Sequence, residues 1–212
     1  MNNKYASKNT LNRLPFYMEY LKSIKNEGEI YISSTSIAKK LKLNDVQVRK
    51  DLALVSSSGG KPKIGYEIDE LILDIETFLG FKNNNKAVLV GVGSLGRALL
   101  NYTGFDNYGL SIVKAFDVSL QKIGKRVNGI EILSLDDISK FCKDNNIHIG
   151  IITVPHEQAQ EVCDVLVSSG VKAIWNFAPT KLCVPEDILI QNENMASSLA
   201  VLSRHLNLKM KN

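Results

Sequence analysis

The sequence predicts an α/β chain of two domains: a small helical domain with a basic turn, then an open parallel sheet, then a terminal amphipathic helix. Three observations carry this. The stretch Gly91-Val92-Gly93-Ser94-Leu95-Gly96 lies between the apolar run Ala87-Val88-Leu89-Val90 and the helix-like run Arg97-Ala98-Leu99-Leu100. Two short helical stretches meet across Lys42-Leu43 in the front third. Positive charge concentrates in that third: residues 1–66 hold 12 Lys and Arg against 5 Asp and Glu, whereas residues 67–212 hold 14 against 17.

A chain of 212 residues suffices for one large domain or two small ones. Its 44% apolar and 23% charged residues are ordinary for a soluble globular protein. No apolar run approaches the roughly 20 residues that cross a bilayer. Met1-Asn2-Asn3-Lys4-Tyr5 lacks the apolar core of a secretory signal. The widely spaced Cys142, Cys163 and Cys183 form no CxxC, and no His stands at metal-ligand spacing from them. Reduced, buried thiols in a cytoplasmic protein are the expectation, with an oxidant-sensing cysteine as the alternative. The basic front third suggests a polyanionic partner, although a solvated basic face would give the same count.

Leu14, Tyr17, Met18, Leu21 and Ile24 recur at helical spacing and predict a helix that starts within residues 11–15 and stops at Asn26-Glu27-Gly28. Glu29-Ile30-Tyr31-Ile32 reads as extended. Ser33 and its neighbours can cap a helix through Ile37, Ala38 and Leu41. After the turn at Lys42-Leu43, Asn44 can cap the next helix, with Gln47 three residues on in a capping-box arrangement. Val48, Leu52 and Val55 face inward, leaving Gln47, Arg49 and Lys50 outside. Two short helices across a tight turn are a helix-turn-helix, whose second helix enters the DNA major groove and reads base edges from its N-terminal residues. Lys61 and Lys63 on the Gly- and Ser-rich turn before Tyr66 look like a wing that meets phosphates. An ordinary helical bundle with a charged surface is the competing reading.

Residues 67–81 read as one amphipathic helix through Ile68, Leu71, Ile72, Ile75, Phe78 and Leu79, and Asn83-Asn84-Asn85 as a linker. Beyond it, strand, glycine loop, helix and a second strand ending in Asp117 form the dinucleotide-binding pattern. Its glycines permit a tight turn and close approach to a pyrophosphate. The helix N-terminus supplies unpaired N–H groups, and an acid about 20 residues on bonds the ribose hydroxyls. That acid would repel a 2′-phosphate and so favours NAD(H) over NADP(H). A ligand-free glycine turn remains the bland alternative. Residues 121–128 carry Lys122 and Lys125 past the adenosine side. Gly129-Ile130-Glu131-Ile132 and the apolar runs 147–154 and 171–177 are expected strands, the second of these enclosing His148. Ser134 caps a helix, and residues 156–169 form another that Gly170 ends. Phe177 at a strand end either covers a nicotinamide or fills the core. Leu199, Leu202, Leu206 and Leu208 mark a terminal helix whose apolar stripe needs a partner, on its own domain or on a second subunit.

An enzyme would need a proton donor, and His156 after Pro155 is the leading candidate. His148 and His205 suit structural roles. Only about 35 residues follow Phe177, too few for a substrate domain, so no catalytic function is expected. A nucleotide- or CoA-binding module with a protein-binding front end is the third class.

Arg13-Leu14-Pro15, Gln47-Val48-Arg49-Lys50-Asp51-Leu52, Gly65-Tyr66, the Gly91–Gly96 loop with Asn101-Tyr102, Ala115-Phe116-Asp117, Lys122-Ile123-Gly124, Thr153-Val154-Pro155, Trp175-Asn176-Phe177-Ala178-Pro179 and Leu199-Ala200-Val201-Leu202-Ser203 together resemble the Rex family of redox-sensing transcriptional repressors. The resemblance covers nearly the whole chain. It implies a winged-helix DNA-binding domain over residues 1–82, a Rossmann NAD(H)-binding domain over 83–194, and a C-terminal helix over 195–212 swapped between the subunits of a homodimer. It further implies binding to palindromic operator DNA when NAD+ predominates and release when NADH binds, controlling fermentation or respiration genes. The candidate dinucleotide residues are Gly91, Val92, Gly93, Ser94, Leu95, Gly96, Asp117, Val118, Lys122, Val154 and Pro155. To these the resemblance adds Tyr102 and Phe177, which match residues placed around the nicotinamide, in part across the dimer interface. The candidate DNA-facing residues are Ser34, Gln47, Arg49, Lys50, Lys61, Lys63 and Arg13; Arg13 also matches an arginine implicated in the switch. Two departures stand out. Asn176 occupies a place where some members carry an acid that pairs with that arginine, and the wing Ser56-Ser57-Ser58-Gly59-Gly60-Lys61-Pro62-Lys63 is less aromatic than in many members.

Overall fold

The computed structural model describes residues 6–210; the N-terminal segment without a signal-like core, residues 1–5, lies outside them. Contacts divide the chain into two units, Met1–Asn83 and Asn84–Asn212.

In the first unit, α1 (Lys8–Asn26) begins where Ser7 Oγ accepts the Thr10 amide. It starts before the expected 11–15 because Ser7, not Pro15, marks its N-terminus; Pro15 sits inside the helix. β1 (Tyr31–Ile32) pairs antiparallel with β2 (Tyr66–Glu67). Between them lie α2 (Ser34–Leu41), capped by Ser33, and α3 (Asp45–Val55), capped by Asn44. Lys42 takes the left-handed conformation, and the Leu43 amide reaches back to the Ala38 carbonyl, closing the turn between the helices. The expected capping box forms only in half. Asn44 accepts the Gln47 amide, but the Gln47 side chain turns away to Asp51. Lys61 and Gly65 exchange backbone hydrogen bonds at the wing tip. Gly65 is left-handed there, and a Cβ on it would strike the Ile32 carbonyl. α4 (Ile68–Leu79) stops two residues before the expected 81, at left-handed Gly80, whose amide satisfies the last carbonyls. Leu14, Tyr17, Leu21, Ile37, Val48, Leu52, Leu71 and Ile75 form the core of this unit.

The second unit holds a seven-stranded sheet in the order β5-β6-β4-β3-β7-β8-β9. These are β3 (Asn85–Val90), β4 (Leu110–Asp117), β5 (Arg126–Val127), β6 (Ile130–Ser134), β7 (Ile149–Ile152), β8 (Ala173–Asn176) and β9 (Leu189–Asn192). All pair in parallel except β5 with β6. The helices are α5 (Ser94–Asn101), α6 (Ile138–Asp144), α7 (His156–Ser168) and α8 (Met195–Lys209), with 3-10 turns at Thr103–Tyr108 and Leu135–Asp137. The order runs outward from β3 in both directions, so the strand order reverses between β3 and β7. In open α/β sheets ligands bind at this point, beyond the carboxyl ends of the strands.

Several expectations are corrected. The apolar runs 147–154 and 171–177 give shorter strands, and His148 is exposed ahead of β7 rather than enclosed in it. The β5–β6 hairpin turns at Asn128-Gly129, both at positive φ. β9 has no counterpart among the expected strands. Every residue of α8 is exposed in this chain, including Leu199, Leu202, Leu206 and Leu208, so the helix does not bury its stripe on its own domain.

Candidate functional site

A cleft of about 550 Å³ opens where β3, β4 and β7 end, within the range of small-molecule sites. Val90, Gly91, Gly93, Asp117, Val118, Lys122, Val154 and Pro155 line it, together with Ser119, Leu135, Thr153, Gln158, Glu161 and Val162. The three glycines differ in their physical surroundings. Gly91 has φ +96, and a Cβ there would lie 2.7 Å from Val154 Cγ1. A Cβ on Gly96 would strike the Gly91 carbonyl oxygen, so this glycine lets α5 pack on the loop. A Cβ on Gly93 would meet nothing within 4 Å, so the fold itself leaves room for a side chain at this position on the cleft wall. α5 starts at Ser94 behind an N-cap, Gly93, that has no side chain to cap it, leaving the amides of Ser94, Leu95 and Gly96 as donors for a phosphate.

Asp117, 6% exposed, braces the cleft. Its Oδ2 accepts the Val92 amide and Lys122 Nζ, each at 2.8 Å, and Oδ1 accepts the Ser119 amide at 2.9 Å. Burial pushes its pKa up, but the bonds from Lys122, Ser119 and Val92 outweigh this and hold the carboxyl below its ordinary range. A carboxylate offers about four lone-pair sites. Three are taken by Val92, Lys122 and Ser119, which leaves lone-pair capacity for a ribose hydroxyl. Thr153, which is not among the candidate site residues, bonds both the Val90 and Gly91 carbonyls through Oγ1.

Tyr102 and Phe177 do not line this cleft. They end a row of rings: Tyr102 meets Phe105 edge-on at 4.8 Å, Phe105 meets Trp175 at 5.6 Å, and Trp175 meets Phe177 at 4.9 Å. Asn176 is fully buried. Its Nδ2 donates to Ala178 O, Thr180 O and Asn192 Oδ1, and its Oδ1 accepts the Ala178 amide. This amide secures the turn after β8. An ionised acid could not donate these bonds.

In the first unit, Arg49, Lys50, Lys61 and Lys63 are exposed, Ser34 is half-buried at the start of α2, and Gln47 is exposed in the first turn of α3. Arg49 pairs loosely with Asp45 at 3.2 Å. Arg13 faces a different partner. Its guanidinium grips Asp51 at 2.7 and 2.9 Å.

His156 is exposed beside Glu157. Cys142 and Cys163 are buried, and burial pushes both thiols up to about 11; Cys183 is exposed. Among the described residues no cluster of His, Cys, Asp and Glu could hold a metal, and no helix is long and apolar enough to cross a membrane.

Residues 82–180 match a family model described as "CoA binding domain", and residues 6–53 match one described as "Putative DNA-binding protein N-terminus". A redox-sensing transcriptional repressor Rex of Bacteroides fragilis is 48% identical over 198 residues, spanning 93% of this chain and 90% of its own. The chain belongs to the Rex family. A Rex repressor of Treponema denticola is 41% identical, covering 94% of this chain and 95% of its own. The crystal structure of RSP with β-NAD+ and operator DNA aligns with a TM-score of 0.91 at 32% identity, over 98% of this chain and 95% of that one. RSP with β-NADH aligns at 0.86 and 32%, over 98% and 97%. The Rex relatives are named as regulators, not enzymes. An α/β fold with an N-terminal DNA-binding domain and a Rossmann-like sheet is shared with these Rex structures.

Proposed function

We propose that this chain is a dimeric repressor that grips operator DNA through α3 and the wing and lets go when NADH fills the cleft. The end-to-end likeness to RSP, solved with NAD+ and operator DNA and with NADH, carries the reading. The cleft fits the dinucleotide: open space at Gly93, free amides at the α5 N-terminus and a vacant lone pair on Asp117. Gly91, Gly93 and the amides of Ser94, Leu95 and Gly96 would hold the pyrophosphate, with Val92 bracing the loop through its amide bond to Asp117. Asp117, Val118 and Lys122 would flank the adenosine, with Val154 and Pro155 on the opposite wall. When bound, the dinucleotide supplies a redox-dependent charge and no reaction.

Tyr102 and Phe177 lie outside one protomer's cleft, which suits a nicotinamide site completed on dimerisation. α8 offers the apolar stripe for that dimer, as a helix exchanged between subunits. A two-fold dimer reads a palindromic site. Arg49, Lys50, Lys61 and Lys63 would contact it, with Ser34 at the start of α2 and Gln47 on α3. Such a repressor works in the cytoplasm.

The switch is a difference in affinity. NADH shifts the dimer only by binding the DNA-free state better, and operator DNA then weakens NADH binding by the same factor. A neutral dihydronicotinamide enters an apolar pocket more cheaply than the charged NAD+ ring. Gel shifts on the protein's own promoter region, with NAD+, NADH or CoA titrated in, test this. Release by NADH alone supports it, and equal release by all three contradicts it.

A further inference from the structure

A buried acid on α3 fixes the orientation of an exposed amide. Asp51, 2% exposed, accepts from Arg13 Nε and Nη2, from the Tyr17 hydroxyl at 2.8 Å and from Gln47 Nε2 at 3.0 Å. Four bonds saturate the carboxylate. Burial alone would raise its pKa, but the bonds from Arg13, Tyr17 and Gln47 hold it low, so Asp51 is ionised at neutral pH. An ionised carboxylate cannot donate a hydrogen bond. The end of Gln47 that faces it must therefore be the NH₂ group and not the carbonyl. This settles a choice that an exposed glutamine ordinarily leaves open.

Gln47 keeps its carbonyl oxygen and one N–H for an outside partner. It sits in the first turn of the second helix of the helix-turn-helix, the turn that reaches base edges. One acceptor beside one donor matches the N6 amino group and N7 of adenine in the major groove. Guanine presents two acceptors there, so the Gln47 carbonyl would face a like group.

We infer that Gln47 reads an adenine in each half-site of the bound DNA, and that Asp51 is the positioning residue that holds its amide for this. The inference rests on the DNA-binding reading above. It gives Arg13 a place within its own domain, as the brace that ties α1 to the reading helix.

The test selects sequences from a randomised duplex pool with the full-length protein, without NADH, at one salt concentration. Wild type is expected to return a two-fold symmetric site with a preferred adenine in each half. Gln47→Ala should lose that preference by about tenfold or more and leave the other positions unchanged. Gln47→Glu has no N–H for Asp51 or for N7 and sets a second carboxylate beside Asp51, so it should also lose the adenine preference. Asp51→Asn should blunt the same position. In case that variant does not fold, the wild-type side-chain amides are also followed by hydrogen exchange. One Gln47 amide proton is expected to exchange more slowly than those of a freely exposed glutamine. An unchanged site from Gln47→Ala, a uniform loss at all positions, or an unprotected Gln47 amide overturns the inference alone. If wild type enriches no sequence, the DNA-binding reading fails and takes the inference with it.

Discussion

Asp117 holds Lys122 at 2.8 Å through Oδ2, the same oxygen that accepts the Val92 amide. One carboxylate thus ties the glycine loop, the turn at Ser119 and a cation into a single wall of the cleft. Replacing it exposes three donors at once. Asp117→Ala is expected to cost about 2–3 kcal/mol of stability, because two amides and a half-buried ammonium lose their partner. It should weaken NADH binding at least tenfold. Thermal melts and NADH titration check both.

The glycines should separate fold from ligand. Gly91→Ala is expected to destabilise the protein by about 2 kcal/mol, since it is strained at positive φ and collides with Val154. Gly93→Val should melt like wild type yet bind NADH at least tenfold more weakly, because the valine fills space open in the protein alone. DNA binding should survive in Gly93→Val while the response to NADH is lost. Melting curves and gel shifts on the same samples distinguish the two variants.

Acid should attack both buried carboxylates. Asp51 and Asp117 each have a folded pKa below the ordinary 3.8. Their contributions are complete above that value and vanish as pH falls through the lower folded value. Urea unfolding is therefore expected to show stability dropping steeply below about pH 4. Asp117→Asn should give a shallower drop over the same interval. An equally steep drop would remove Asp117 as its source.

Wing contacts should be electrostatic. Lys61→Ala is expected to weaken DNA binding similarly for all sequences and to lower the salt slope by about one ion. Arg49→Ala should abolish most binding. Gel shifts at several salt concentrations read both.

Much of this architecture was legible from local pattern. The apolar spacing of Leu14 to Ile24, the Asn44 cap and the glycine loop before Arg97 each act over a few residues, and the sequence displays them directly. Asn128-Gly129 is also a local signal, the strongest two-residue hairpin turn, but its flanking strands are too short to announce themselves. β9 sits at a sheet edge with few apolar residues, so periodicity has little to find. The Arg13–Asp51 pair joins residues 38 apart, and nothing local marks Asp51 as buried. Likewise, the lone pairs left on Asp117 follow from its neighbours Val92, Ser119 and Lys122 and not from its type. The Phe177 row of rings depends on how β8 and the Thr103–Tyr108 turn meet, which no spacing encodes.

The most direct measurement is operator affinity as a function of NADH. With purified full-length protein and a fragment of its own promoter, saturating NADH is expected to weaken binding at least tenfold while NAD+ leaves it intact, and the same DNA should weaken NADH binding by an equal factor. Equal affinity for the fragment with and without NADH would contradict the account.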